Sequence, residues 1–360
     1  MLSRSFHVGA SAGRPSEVGV TRASDGDTAN QVVVTWPGFD PDDPETGGFL
    51  RSNGLRIRLS PKLGPRTPAE VSRLMANAVA AIVSTDPFDR SVFGAARRLR
   101  VVARVGVGTD TIDLSAATKA GVVIITTPGA NEETVADHTL ALILAAVRRV
   151  VEHDASVRRG EWDRAGRLTA WDLHGRTVGL MGFGRIGQAV ARRLRGFGVN
   201  LIACDPFVKP PNEVRLVDLD ELLGSADIVS LHVPLLPTTR GLIGRREITL
   251  MRPETILVNT SRGGIIDEVS LIEALGSRRL RAAALDVFQD EPPTSRRLLE
   301  LPNVLLTPHI AGLSVDSIRV MVSRATRVVV DVLQGRQVKG MVNPEALGYL
   351  RSREAGRGGS

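Results

Sequence analysis

Apolar and polar positions alternate along the chain between two kinds of segment. Short, β-branched, almost continuously apolar runs occur at Gln31–Thr35, Ala80–Ser84, Val101–Val105 and Val122–Thr126. Between them, Pro68–Val79, Ser91–Leu99 and Leu114–Ala120 place apolar residues at helical spacing. Strands alternating with helices predict a parallel sheet of βαβ units, and runs lacking a polar face predict strands covered on both sides. A long helical pattern, Glu132 to about Arg159, follows. A second strand series then begins: Thr177–Met181, Asn200–Cys204, Ile228–His232, Thr255–Asn259, Ala282–Val287 and Val304–Leu306. Its predicted helices are Ile186–Phe197, Leu219–Gly224, Arg245–Leu250 and Glu268–Leu275, and a closing helix is predicted at Val315–Leu333. The pattern predicts two α/β domains with doubly wound parallel sheets and a cleft between them. The first is expected over residues 31–130 plus 312–345, because the closing helix should pack back on it. The second is expected over 131–311, with disordered tails at 1–30 and 346–360.

Composition agrees with two globular domains. The chain has 360 residues, 42% hydrophobic and 24% charged. One cysteine, Cys204, excludes an intramolecular disulfide framework and a multi-cysteine metal site. The longest plainly apolar helical stretch, about Thr139–Val147, is far short of the roughly 20 residues a membrane span needs. The net charge of +7 comes from 46 basic and 39 acidic residues, nearly all of the basic ones arginine. These arginines are scattered rather than clustered, and one tyrosine offers little base stacking, so neither nucleic acid nor membrane is expected as a partner. The first thirty residues lack an apolar core segment, so no secretory signal is read there and a cytoplasmic protein is expected.

Candidate chemistry starts after the strand Thr177–Met181. The next residues are Gly182-Phe183-Gly184-Arg185-Ile186-Gly187, and a helix follows at once. Such spacing permits a tight turn, a close backbone approach to a pyrophosphate, and close packing of helix on strand, with the helix N-terminus facing the phosphates. Asp205 ends the next strand, 18 residues past Gly187, where a carboxylate accepts hydrogen bonds from ribose hydroxyls and repels a 2′-phosphate. NAD is therefore expected over NADP, in a Rossmann-like second domain. The first domain is expected to be Rossmann-like or flavodoxin-like.

Three later strands each run into a loop bearing one reactive type. Asn259 leads into Thr260-Ser261-Arg262, Val287 leads toward Glu291, and Leu306 leads into Thr307-Pro308-His309. Ligands in open α/β sheets sit outside the carboxyl ends of the strands, so Arg262, Glu291 and His309 should converge. Moving a hydride between an alcohol and a nicotinamide also moves a proton, which suits a histidine acid/base. A carboxylate on the second ring nitrogen fixes its tautomer, and a guanidinium fork suits a carboxylate or carbonyl. His232, also at a strand end, is the rival histidine. No His/Asp/Glu cluster has metal-ligand spacing, and no metal is expected.

These segments resemble the D-isomer-specific 2-hydroxyacid dehydrogenases, especially the phosphoglycerate dehydrogenase-like branch. The resemblance rests on Val105-Gly106-Val107-Gly108-Thr109-Asp110, Gly179–Gly187, Leu231-His232-Val233-Pro234 with Thr239, Asn259–Asp267, Leu285–Pro292 and Pro308–Gly312. It implies that Arg262 binds the substrate carboxylate and carbonyl, that His309 is the acid/base and that Glu291 pairs with it. Backbone amides of Gly106, Val107 and Gly108 would hold the substrate carboxylate. For NAD it implies Gly182, Gly184, Arg185, Ile186 and Gly187 at the pyrophosphate, Asp205 at the ribose, and Val233, Pro234 and Thr239 on the adenosine side. Thr260, Ser261, Asp286 and Gly312 complete the implied cofactor contacts, with Asp286 meeting the nicotinamide carboxamide. A homodimer through the cofactor domains is also implied; as a departure, there is no room after the closing helix for the C-terminal serine-sensing domain of the longer phosphoglycerate enzymes, and that feedback route is not expected. Phosphoglycerate enzymes often carry an arginine after the strand ending here at Val83, where this chain has Ser84-Thr85-Asp86. The second class of function to weigh is a corepressor-like binding protein of the same fold that uses NAD to assemble on partner peptides.

Overall fold

The computed structural model describes residues 30–355 except 63, 163, 165, 167, 168, 209 and 210. Of the tails expected from the sequence, residues 1–29 and 356–360 lie outside the described residues. The first sheet contains β1 (Gln31–Val34), β2 (Arg56–Leu59), β3 (Ala80–Val83), β4 (Val101–Arg104) and β5 (Val123–Ile125). Their order is β2-β1-β3-β4-β5, and every pairing is parallel. The second sheet contains β6 (Thr177–Met181), β7 (Asn200–Cys204), β8 (Arg215–Leu216), β9 (Ile228–Leu231), β10 (Ile256–Asn259), β11 (Ala282–Leu285) and β12 (Val304–Leu306). It is parallel throughout, in the order β12-β11-β10-β9-β6-β7-β8. Strand order reverses between β6 and β9, which makes a crevice at their carboxyl ends.

The apolar runs serve two cores at once, because alternate side chains leave a strand on opposite faces. In the first sheet Val32, Val34, Ile82 and Ala103 pack with Met321, Val322, Ala325 and Val329 of the helix Val315–Leu333. Their neighbours Val33, Ala81, Val83 and Val102 face the other way, onto Val71, Met75, Val92 and Phe93. In the second sheet Val178, Leu180 and Val258 meet Ala136, Leu142, Ile143 and Val147 of the helix Glu132–Arg148. Met181, Leu257 and Leu285 face Leu222, Leu223, Ile248 and Leu271. The chain crosses between the two sheets twice, and the crossings touch: Thr134 Oγ1 and Ser314 Oγ lie 3.3 Å apart.

Several elements differ from the pattern-based expectation. The long helix ends at Arg148, and a second runs Val150–Arg158, because Arg149 turns left-handed at φ 52°. Neither glycine nor proline marks that break. Strands β2 and β8 were not expected; both lie at sheet edges, β2 exposes most of its Arg-Ile-Arg-Leu and β8 exposes both residues, so neither makes an apolar run. Residues 346–355, expected as tail, form a helix (Ala346–Ala355) that buries Ala346 and Leu350 in the first core. Arg353 ties it down by donating to the carbonyls of Ala120 (2.8 Å) and Leu99 (2.7 Å). Among the described residues no helix is long and apolar enough to cross a membrane.

Leu180 is fully buried on the central strand β6, whereas Val315 is 76% exposed. Leu180→Ala is therefore expected to lower unfolding free energy by about 2–5 kcal/mol. Val315→Ala should change it by less than about 0.5 kcal/mol. Denaturant titrations of the two variants against the parent check the contrast.

Candidate active site

The glycine loop follows β6 at the crevice. Gly182 has φ 92°, and a Cβ there would lie 2.6 Å from the His232 carbonyl oxygen. A Cβ on Gly187 would lie 2.4 Å from the Gly182 carbonyl oxygen. Two of the three glycines are thus required by the packing of the protein itself. Gly184 is different: a Cβ there meets nothing within 4 Å. It caps the helix Arg185–Leu194 with no side-chain acceptor, so open space and unpaired amides face the same place. Arg185 begins that helix, largely exposed, with Glu132 Oε1 3.5 Å away, while Ile186 packs on the core.

Asp205 stands at the end of β7. Its Oδ2 accepts from the Phe183 amide (2.7 Å), and its Oδ1 from the amides of Phe207 (2.8 Å) and Val208 (3.0 Å). Partial burial favours protonation, but those three donors outweigh it and hold the carboxyl below its ordinary value. The carboxylate therefore shapes the glycine loop and remains ionised beside it. On the facing side Val233 approaches Gly182, and Thr239 donates to the Pro234 carbonyl (2.6 Å) and accepts from the Leu236 amide (2.7 Å). His232 is half-buried, with one ring nitrogen 2.9 Å from Ser230 Oγ, and desolvation of the ring pushes it down to about 4. It stays neutral at physiological pH and lies under the loop, which removes it as the rival acid/base.

His309 and Glu291 meet as a pair: Nδ1 lies 2.7 Å from Oε2, each side chain about one-third exposed. The second oxygen of Glu291 accepts from the Phe288 amide (3.2 Å). Burial alone would raise the Glu291 carboxyl, but the hydrogen bond and charge of His309, the Phe288 amide and Arg262 hold it below its usual value. With Nδ1 engaged, Nε2 is the ring nitrogen left for a substrate. His309 itself has φ 53°, a left-handed conformation that costs a non-glycine residue about 1–2 kcal/mol. Asp286 holds that turn. Its carbonyl accepts from the His309 amide (2.8 Å), Oδ1 from Thr307 Oγ1 (2.6 Å) and the Ile310 amide (2.9 Å), and Oδ2 from the Ala311 amide (2.8 Å). His138 Nε2 adds a contact at 3.6 Å. Asp286 was expected to meet a nicotinamide carboxamide, but its side chain is fully covered, so its observed task is to build the His309 turn. Thr260, too, is buried, 2.9 Å from Thr139 Oγ1, while Ser261 Oγ donates to the Leu231 carbonyl (2.6 Å).

Arg262 reaches across the cleft. Its Nε donates to Asp110 Oδ2 (2.6 Å) in the first domain, and its Nη1 to the Ser261 carbonyl (2.7 Å). Its Nη2 lies where a Gly108 Cβ would stand, 1.6 Å away, so only glycine at 108 admits this pose. Gly106 (φ 141°) makes a similar gap for Arg104, whose Nη1 is 2.6 Å from the Cβ position. The Gly106 amide donates to Thr127 Oγ1 (3.1 Å). It is therefore not free for a ligand, contrary to expectation, which leaves the amides of Val107 and Gly108. Gly312 packs on Asn131 at the second interdomain crossing, with the Asn131 Nδ2 2.6 Å from the position a Cβ would take.

Two residues near Arg262 were missed by sequence reasoning. Arg104 looked like part of a strand. It is buried, donates through Nε to the Ser84 carbonyl (2.9 Å), and is held down to about 10 by burial and by the Arg262 charge. Asp110 carried no assigned role. Asp86, which follows the strand where phosphoglycerate enzymes often carry an arginine, is paired with Arg66 (2.7 Å), both side chains 6% exposed, and accepts from Thr35 Oγ1 (2.6 Å). Its charge is compensated within the domain.

The profile of the "D-isomer specific 2-hydroxyacid dehydrogenase, NAD binding domain" family matches residues 140–311. D-3-phosphoglycerate dehydrogenase of Methanocaldococcus jannaschii is 43% identical over 274 residues, 73% of this chain and 52% of that protein. The chain thus spans about half the length of that relative. Glyoxylate reductase of Korarchaeum cryptofilum is 43% identical over 271 residues, 73% of this chain and 82% of that protein. The crystal structure of Aquifex aeolicus D-lactate dehydrogenase with NAD and lactic acid superposes with a TM-score of 0.78, at 28% identity, over 87% of this chain and 99% of that one. With two parallel sheets, a glycine loop at the switch point and this extent of likeness, the chain belongs to the D-isomer-specific 2-hydroxyacid dehydrogenase family.

Proposed function

We propose that the chain interconverts a D-2-hydroxy acid and its 2-keto acid with NAD. The observation that carries this reading is the Glu291–His309 pair, set with Arg262 at strand ends beside the glycine loop. The open space at Gly184 fits a pyrophosphate, and the Asp205 carboxylate, with three amides on four lone-pair sites, keeps one acceptor position for a ribose hydroxyl. Gly182, Arg185, Ile186 and Gly187 would line the pyrophosphate, Val233, Pro234 and Thr239 the adenosine side, and Thr260 and Ser261 the nicotinamide end. Asp205 disfavours a 2′-phosphate, hence NAD over NADP. NAD, when bound, supplies the hydride acceptor or donor.

The chain's own groups supply the rest. The Val107 and Gly108 amides and the Arg262 guanidinium receive the substrate carboxylate and polarise the keto oxygen. In reduction, protonated His309 gives its Nε2 proton to that oxygen as hydride reaches the carbon. In oxidation, neutral Nε2 takes the proton back. Glu291 fixes the ring with Nδ1 protonated and balances the imidazolium. Buried Arg104 adds positive charge to the acid-binding side, which supports a phosphoglycerate dehydrogenase-like or a glyoxylate/hydroxypyruvate reductase-like substrate. The corepressor-like reading has no observation in its favour. A homodimer through the cofactor domains and a cytoplasmic location complete the proposal. Initial rates of NADH oxidation with glyoxylate, hydroxypyruvate, phosphohydroxypyruvate and branched 2-keto acids test it; absence of turnover with every member would refute it.

Gly184→Val should fold like the parent, since the new side chain enters open space, yet lose most NADH binding. Thermal unfolding and NADH fluorescence titration separate the two. Full NADH affinity in the variant would move the pyrophosphate elsewhere.

Reduction consumes a proton from His309, so its kcat/KM should fall on the alkaline side while the reverse reaction rises. Glu291 lies below its ordinary value of 4.5, so its charge persists through the neutral and mildly acid range. Glu291→Gln keeps the shape and removes that charge, and the alkaline limb of reduction should move to lower pH. Matching pH profiles for parent and variant would end the paired assignment.

A further inference from the structure

The cleft contains a cross-domain contact that the proposed chemistry does not by itself require. Arg262 lies beyond β10 of the second domain, whereas Asp110 lies in the loop after β4 of the first. The bond between them is short (2.6 Å), charge-assisted and only about one-quarter to one-third exposed at either end. Arg262 has five N–H groups, of which Nε spends one on Asp110 and Nη1 one on the Ser261 carbonyl. Three remain on the Nη1 and Nη2 end, against Gly108. Arg104 brings a second guanidinium to the same side of the cleft, under Gly106. Asp110 therefore stands with two cations and holds one of them by its inner nitrogen, leaving three N–H groups on the outer nitrogens.

We propose that Asp110 is a positioning residue: its carboxylate fixes the Arg262 guanidinium in the pose that receives the substrate acid, and only when the two domains are closed on each other. This rests on Arg262 being the substrate ligand. The arginine is carried by the cofactor domain, and its anchor is carried by the domain whose amides hold the substrate. Because the bond spans the two domains, the pose of the arginine depends on how they are placed against each other. Gly108 belongs to the same device, because any Cβ there would displace Nη2.

The test is a double-mutant cycle on keto-acid reduction, read as separate KM and kcat, with NADH affinity measured alongside. Asp110→Ala should lower kcat/KM about tenfold to hundredfold, mainly through KM, as loss of one charge-assisted bond implies. Asp110→Asn, which keeps an acceptor for Nε, should recover part of that loss. NADH affinity should stay within about twofold of the parent. In an Arg262→Gln background, Asp110→Ala should cost less than about twofold more, because its effect passes through the arginine. Gly108→Ala, whose Cβ would first meet the end of the Arg262 side chain and the Asp110 carboxylate, should fold normally and reproduce the KM defect. Losses that multiply independently in the double variant, or a lower KM in Asp110→Ala, would overturn the proposal; the latter would make Asp110 a competitor of the substrate. A parent-like Arg262→Gln would instead remove the arginine from the site, and that outcome is distinct from failure of the cycle alone.

Discussion

A parallel sheet covered by helices on both faces has only its strand ends left for chemistry. Nearly everything in this chain follows from that constraint. Residues of β1, β3 and β4 alternate between two buried cores, and so do those of β6, β10 and β11, so few of these side chains reach solvent. The polar groups that remain collect where the backbone leaves each strand. In the second domain these points carry the glycine loop, Asp205, His232, Arg262, Glu291 and His309. In the first they carry Asp86, Arg104 and the Gly106–Asp110 loop. Two sheets with carboxyl ends facing one cleft can therefore divide a site between cofactor handling and acid binding.

Holding reactive groups in such a place requires buried support. Asp286 illustrates it: a covered carboxylate with three donors and a backbone carbonyl shapes the turn in which His309 adopts its left-handed conformation. That strain is local and is offset by hydrogen bonds made in a low-dielectric setting. Asp205 does the same for the glycine loop. The Arg66–Asp86 pair neutralises a buried acid on the substrate side. In each case a charged residue near the cleft acts first on the protein, and its effect on a ligand depends on the geometry it maintains.

Much of this was legible in the amino-acid sequence. The apolar runs marked β1, β3 to β7 and β9 to β11, because covered strands have no polar face to confuse the period, and β12, half-buried at a sheet edge, is apolar as well. The pairing of Glu291 with His309 followed from residue type and position at neighbouring strand ends. What escaped had little or no local signal. Edge strands β2 and β8 expose their side chains, and Arg149 breaks a helix without glycine or proline. The helix Ala346–Ala355 has little amphipathic contrast and is fixed by contacts with residues more than two hundred positions earlier. Arg104 sits within an apolar run, and nothing in its neighbours says that its side chain turns toward the cleft loop. The covering of Asp286 depends on the path of 307–311, which only the folded chain defines.

The central claim is that one small acid is held between groups from both domains. A crystal structure of the complex with NADH and oxamate, an unreactive analogue of a 2-keto acid, tests it most directly. The account predicts the oxamate carbonyl oxygen within hydrogen-bonding distance of His309 Nε2. It also predicts the oxamate carboxylate against Arg262 and the Val107 and Gly108 amides, with the Arg262–Asp110 bond intact. Oxamate bound away from His309, or an Arg262 side chain turned out of the cleft, would contradict it.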